Sequence, residues 1–456
     1  MKNSGVQNSL AYTIAKKIVG LRLLVIPRGS RREVFYVRFV RPILSKLLGH
    51  GCTSEAFQQA VMQSATVSAV RPAQFQKESV SEILIIKCDH IGDFFLSLQA
   101  FSIVRKGFPK AKLTLMCGSW NRDLALKTGL FDRVVCADVH SEISSGGTVP
   151  YNVQLLDTFH FPVFDIAIDM KPESDTRFFL NHVQARLKAG FEDQGDGGEG
   201  IILVTDNEMK PMMDFMFQLP SLGCQGKMNY ARHTQTLLAS FVNGIVNLFD
   251  STLAVSEILA PLMAEPHSVL LTRRGEGPLI AINPGSGALT KNWPIENYQN
   301  LIKDLIQLYD ATIVLLGSGH QKEYGIYLTQ EVPDSSIINL IGTLPLVELP
   351  NVVRQLDLYI GHDTGGTHIA SMVGQKTLCL YSGVGPLEAF GLVGKNVIIL
   401  KCFNLPCSPC HLTKLDLCDF GHICMHAITP KRVLEEIESM LNLKSYPSRE
   451  VSSMNG

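Results

Sequence analysis

A chain of 456 residues is long enough for two or three domains, and 46% hydrophobic with 18% charged residues is ordinary for a globular protein. The formal net charge of -1 excludes an overall basic field for nucleic acid, and no uninterrupted apolar run approaches the ~18 residues a spanning helix needs. Eleven cysteines, five of them between Cys402 and Cys424, are too unevenly placed for a small secreted disulfide scaffold and point to a reducing cytoplasm.

The chain opens on a basic amphipathic extension, residues 1–48. Between Lys16 and Lys46 nine Lys/Arg residues face one acid, Glu33, with leucines, valines and aromatics interleaved. Such a segment suits an anionic membrane surface, each basic residue contributing ~1 kcal/mol, or a helix packed on the protein body. Arg22 interrupts the apolar stretch and no small-residue cleavage site follows, so a signal peptide is not expected. Residues 49–80, rich in Gln, Ser and Ala, read as a linker.

Strand and helix patterns then alternate. "EILIIKC" is a β-branched run too short for a helix, and "SLQAFSIVRKGF" has helical spacing. "AKLTLMCG", "RVVCAD" and "FDIAIDM" continue the strands. From about 194 to 230 the Gly-rich "DQGDGGEG" and a Met-rich stretch break the rhythm and read as an irregular excursion. A helix, "HTQTLLASFVNGIVNLF", follows. The alternation restarts with "LIAINPG", "IENYQNLIKDLIQLY", "ATIVLLGSG", "IINLIG", "LVELPNVVRQL", "DLYIGHD", "GTHIASMVG" and "KTLCLYSG". The fold class expected is α/β, with two tandem Rossmann-like domains, 81–255 and 256–445, whose parallel sheets face a central cleft. "TPKRVLEEIESML" closes as an amphipathic helix entered through Thr-Pro, and 446–456 form a tail.

Polar residues interrupt this pattern where strands end. Asp89, His90 and Asp93 follow the first strand, with Gly92 permitting a tight turn. Taken alone, Asp93 is an N-cap worth ~1 kcal/mol. "INPGSGALTKNWP", "VLLGSGHQKE" and "YIGHDTGGTHIA" repeat the feature in the second half, the last opening a helix whose free N–H groups suit a phosphate. Neither a GxGxxG fingerprint nor a GxxxxGK[ST] loop is present. Four polar, Gly-rich strand ends together point to a nucleotide-diphosphate site.

At these residues the chain resembles glycosyltransferase family 9, the heptosyltransferase family of lipopolysaccharide assembly. The resemblance is carried by "CDHIGDFFLSLQAFSIVRKGFP", by Asn283–Pro284–Gly285 with Lys291–Asn292–Trp293–Pro294, by "GTLPLVEL", and by Asp363 to His368. It spans roughly Ile83 to Leu443 and leaves out the first eighty residues. It implies a GT-B fold with an acceptor-binding N-terminal domain and a nucleotide-sugar-binding C-terminal one. The implied enzyme is an inverting glycosyltransferase, metal-independent in its chemistry, moving a heptose from ADP-heptose to a lipopolysaccharide or other cell-envelope glycan. It would work in the cytoplasm, peripherally at the inner face of the membrane. The alternatives are another GT-B enzyme, such as a non-heptose transferase or nucleotide-sugar epimerase, or a non-catalytic glycan-binding scaffold.

By position in the family motifs, Asp93 is the general base and Lys291 the cation that meets the diphosphate. Asn283, Gly285, Ser286, Glu323, Asp363, Thr364, Gly365 and His368 are the donor-binding candidates, with Gln321 an equal choice to Glu323. Asp89, His90, Lys171 and Arg177, with Asp175 beside them, are offered to the acceptor. Cys407 and Cys410 form a CxxC followed by Cys418 and Cys424. With Cys402, His411 and His422 nearby they suit a structural zinc or iron, or else remain free thiols.

Overall fold

A computed structural model describes residues 76–138, 154–171, 176–194, 198–205, 234–247, 249, 269–402, 405, 407–412 and 414–443. The basic extension, nearly all of the expected linker, Asp175 and the expected tail lie outside the described residues. The chain divides into two compact units, Met1–Ala264 with Pro386–Gly391, and Glu265–Gly385 with Leu392–Gly456.

In the first unit the strands are β1 (Glu82–Lys87), β2 (Lys112–Cys117), β3 (Arg133–Cys136), β4 (Phe164–Asp169), β5 (Ala185–Gln194) and β6 (Gly198–Thr205). They lie in the order β3-β2-β1-β4-β5-β6, parallel except for the antiparallel β5–β6 pair. Ile83 to Ile86 are fully buried, which is why a continuous apolar run rather than an alternating one marks β1. The excursion expected from 194 onward is thus corrected at its start. "IILVT" is β-branched enough to pair back on β5, so Gly198–Thr205 is an edge strand.

Helix α1 (Ile91–Leu96) leaves the end of β1 and runs into α2 (Leu98–Gly107). Buried Leu98, Phe101 and Val104 on α2 stand one turn apart and face the core. Helix α3 (Arg177–His182) follows β4, and α4 (Thr234–Asn247) packs against α2. Gly107 makes that approach possible: a Cβ there would lie 2.6 Å from Val246 Cγ2.

The second unit holds β7 (Leu279–Ile282), β8 (Thr312–Leu315), β9 (Ile337–Asn339), β10 (Leu358–His362), β11 (Thr377–Tyr381) and β12 (Val397–Lys401). All are parallel, in the order β12-β11-β10-β7-β8-β9. Counted along the chain, both units have the strand order 3-2-1-4-5-6, which reverses direction beside the first strand. Helix α5 (Ile295–Tyr309) buries Tyr298, Leu301, Ile302 and Leu305, the spacing of one helical face. It is followed by α6 (Lys322–Thr329), α7 (Gly365–Met372) and α8 (Pro430–Leu441). Thr429 caps α8, its hydroxyl accepting from Arg432 N at 3.3 Å, and α8 packs on α5. Among the described residues no helix is long and apolar enough to cross a membrane.

Candidate functional site

Sheets of this order place ligands beyond the carboxyl ends of the strands, at the reversal point. In the second unit that point lies between β7 and β10, and the expected donor residues gather there. Lys291, in the loop after β7, sets its Nζ 2.7 Å from Asp363 Oδ2, just past the end of β10. His368, one turn into α7, approaches Asp363 Oδ1 at 3.3 Å and is otherwise buried. Burial alone would raise the Asp363 carboxyl. The Lys291 charge and the His368 contact outweigh it and hold the group well below the usual carboxylate range. Asp363 is therefore a fixed anion, while the Lys291 side chain keeps 29% of its exposure.

The loop from Asn283 to Trp293 is braced from several sides. The Asn283 amide meets the Tyr359 hydroxyl at 3.0 Å, and turned with its oxygen there it donates to the Gly285 carbonyl at 3.1 Å. Ser286 Oγ donates to the Ala288 carbonyl at 2.7 Å and lies 2.6 Å from Asn292 Oδ1. Gly285 packs directly under the Gln321 side chain, a Cβ there lying 2.3 Å from Gln321 Nε2. Gln321 in turn completes a reciprocal cap with Ser318. Of the two residues left open after β8, Gln321 therefore touches the Asn283–Gly285 turn, whereas Glu323 is exposed in the first turn of α6. Thr364 is the N-cap of α7 and Gly365 its first residue. Gly366 beside them admits the Tyr359 hydroxyl, which a Cβ would meet at 2.6 Å.

His362, at the end of β10, has no exposure. Its Nε2 accepts from Trp293 N at 2.8 Å and lies 3.0 Å from the Tyr298 hydroxyl, and the Gly285 carbonyl is also beside the ring. Burial, helped by the Lys291 charge, pushes the imidazole down to about 3. The sequence reading did not single out His362. Its signal was a polar residue inside the apolar run "LYIGH", directly before Asp363.

In the first unit the reversal point lies between β1 and β4. Asp89 and Lys171, expected at an acceptor, are buried there and paired with each other, Lys171 Nζ lying 3.4 Å from Asp89 Oδ1. Lys87, also buried, pairs with Asp89 Oδ2 and donates to the Met170 carbonyl at 3.3 Å. The Asp89 carbonyl accepts from Trp120 Nε1 at 2.9 Å and Asn121 Nδ2 at 3.1 Å. Asp169 accepts from Lys171 N and from the Thr176 hydroxyl, both at 3.0 Å. His90 is exposed and stands at the N-cap of α1 without a side-chain cap bond. Asp93 is the third residue of α1, half-buried, so the capping position belongs to His90. Arg177 opens α3.

Among the described residues no three His, Cys, Asp or Glu side chains are grouped to hold a metal ion, and Cys407, Cys410, Cys418 and Cys424 of the cysteine loop are free thiols. Cys418 Sγ accepts from His422 N at 3.4 Å, and burial raises the Cys410 thiol to about 11 and those of Cys407 and Cys424 upward as well. The loop buttresses the Lys291 segment: Thr290 Oγ1 donates to the Leu412 carbonyl at 3.0 Å, and His422 Nε2 lies 2.9 Å from the Thr290 carbonyl.

A sequence model described as Glycosyltransferase family 9 (heptosyltransferase) matches residues 246–417. A putative glycosyltransferase of Haemophilus influenzae is 22% identical over 66% of this chain and 82% of its own length. Lipopolysaccharide heptosyltransferase 2 of Salmonella typhimurium is 28% identical over 42% of this chain and 53% of its own. The chain spans about half the length of the heptosyltransferases it matches, from 47% to 58%. In three dimensions, the crystal structure of a family 9 glycosyl transferase from Veillonella parvula covers 81% of this chain and 99% of its own at a TM-score of 0.59 and 16% identity. The E. coli ADP-heptose lipopolysaccharide heptosyltransferase II structure covers 79% and 98% at a TM-score of 0.53 and 16% identity. These likenesses establish the fold as GT-B.

Proposed function

We propose, for a chain whose residues 246–417 match the glycosyltransferase family 9 model, that this glycosyltransferase moves a heptose from ADP-heptose to a lipopolysaccharide or related envelope glycan. The observation that carries the reading is the Lys291–Asp363–His368 constellation at the strand reversal of the second unit, inside the matched segment. A cation held there by a fixed anion, beside the N-terminus of α7, is suited to a diphosphate.

In the proposed reaction an acceptor hydroxyl oxygen forms a bond to the anomeric carbon and the bond from that carbon to the diphosphate breaks. Asp93 takes the hydroxyl proton. The electron pair leaves with the diphosphate oxygen, whose charge Lys291 stabilises, and the anomeric configuration inverts. Asn283, Gly285, Ser286, Asp363, Thr364 and Gly365 shape the donor side. His368 acts by holding Asp363. Asp89 and Lys171 support the turn before Asp93 rather than offering free charges, and His90 is left as the exposed acceptor candidate. We place the reaction at the cytoplasmic face of a membrane, the basic extension serving as the surface contact.

The test is nucleoside diphosphate release from ADP-, GDP- and UDP-linked sugars, with and without a heptose-deficient lipopolysaccharide acceptor. Release from ADP-heptose only when acceptor is present supports the reading. Isomerised sugar nucleotide without release points to an epimerase instead, and binding without turnover points to a scaffold.

A further inference from the structure

The segment that carries Lys291 is a loop, and a loop holds a cation in place only if its backbone is tied down. His362 ties it at its Trp293 end. Its Nε2 accepts the Trp293 N–H at 2.8 Å, two residues beyond Lys291, and the Gly285 carbonyl lies beside the same ring. Accepting that N–H requires a neutral imidazole protonated at Nδ1. Trp293 is 2% exposed, so without His362 its backbone N–H would be buried without this acceptor. The rest of the pocket fixes the ring. Tyr298 reaches Nε2 at 3.0 Å and stands edge-on to both the imidazole and the Trp293 indole. The next residue, Asp363, takes the Lys291 ammonium. His362, the last residue of β10, and Asp363, just past it, thus grip the backbone and the side chain of one loop.

An apolar residue would fill the same volume at the end of a buried strand. The distinctive property of histidine here is an acceptor at the far edge of its ring. We infer that His362 is a positioning residue of the donor half: a neutral imidazole that fixes the Lys291–Trp293 end of the loop after β7 so that Lys291 can meet the diphosphate of a sugar nucleotide. The inference rests on the donor reading of the second unit.

The test compares the wild-type chain with His362→Asn and His362→Gln, titrated calorimetrically with ADP, GDP and UDP, with melting temperatures recorded in parallel. The glutamine Oε1 falls near Nε2 and can take the Trp293 N–H; the asparagine oxygen falls near Nδ1 and cannot. The asparagine variant should bind the nucleotide preferred by the wild type about tenfold more weakly, and the glutamine variant should stay within about threefold. His362→Phe, which fills the space without an acceptor, carries the expectation of the asparagine variant and replaces it if that variant does not fold. Wild-type affinity in the asparagine and phenylalanine variants overturns the inference, as does glutamine binding as weakly as asparagine. A wild-type chain that binds none of the three nucleotides overturns the donor reading itself, and the role of His362 with it.

Discussion

The two units share one strand order and put charged residues at the same topological point, yet they use them oppositely. Beside β1 and β4, Lys87, Asp89 and Lys171 are nearly inaccessible, both ammonium groups being paired with the one Asp89 carboxylate. Beside β7 and β10, Lys291 remains 29% exposed against a single anion, with glycines at 285, 365 and 366 around it. Strand order decides where polar groups converge, because the reversal leaves a crevice there. Side chains decide whether the crevice is filled from within or left for a ligand. On the proposed reading the first crevice supports a turn and the second receives an anion.

The comparison can be broken most directly at Asp93. Exchanged for Asn, it should lower turnover by ~10²–10⁴-fold while nucleoside diphosphate affinity stays unchanged, measured by release rate and calorimetry. Near-wild-type turnover would remove the first unit from the chemistry. Asp89→Ala should act on the fold instead. It leaves Lys87 and Lys171 buried without their shared carboxylate, a loss of about 3–5 kcal/mol read from urea unfolding. A small loss would mean that the buried ammonium groups do not depend on Asp89 after all. Lys291→Gln should reduce turnover by ~10²–10³-fold at saturating donor, the scale of one lost electrostatic contact to a leaving group. An unaltered rate would show that its exposed ammonium serves Asp363 alone.

How far these crevices could be read from the sequence depended on how local their signals were. The end of β1 and the Lys291 and Asp363 motifs stood out because glycine and charge interrupt apolar runs within a few residues. What is paired with what did not stand out. Lys291 and Asp363 lie 72 residues apart, and Lys87 and the Met170 carbonyl 83 apart, so their meeting depends on which strands become neighbours. Lys87 and His362 are the last residues of β1 and β10, where a polar residue after an apolar run reads only as a strand end. The β5–β6 pair was obscured differently. "ARLKAGFEDQ" mixes glycine with both charge signs, and its pairing is to the edge of the sheet, where packing selects the residues less strictly. In the cysteine loop the CxxC spacing was legible, but the packing on Thr290, 122 and 132 residues away in sequence, was not.

The smallest effect expected concerns acid. His362 is neutral in the fold and takes up its proton only after unfolding. Between the ordinary imidazole value of ~6.5 and about 3, the unfolded chain therefore binds one more proton than the folded chain at this residue. Stability must fall as pH drops through that window, by about 1.4 kcal/mol per pH unit once the unfolded imidazole is fully protonated. Asp363 has the opposite dependence on neutrality. Held below the usual carboxylate range, it contributes most above that range and loses its contribution only as pH falls further. His422 is also lowered by burial, so the useful quantity is the difference between the wild type and His362→Gln, in which the His422 contribution cancels. Urea unfolding between pH 6.5 and 5 should show the wild type losing stability more steeply than the variant, by roughly one proton's worth of slope. Equal slopes would mean that the β10 imidazole is charged in the native protein, where its proton would oppose the Trp293 N–H instead of accepting it.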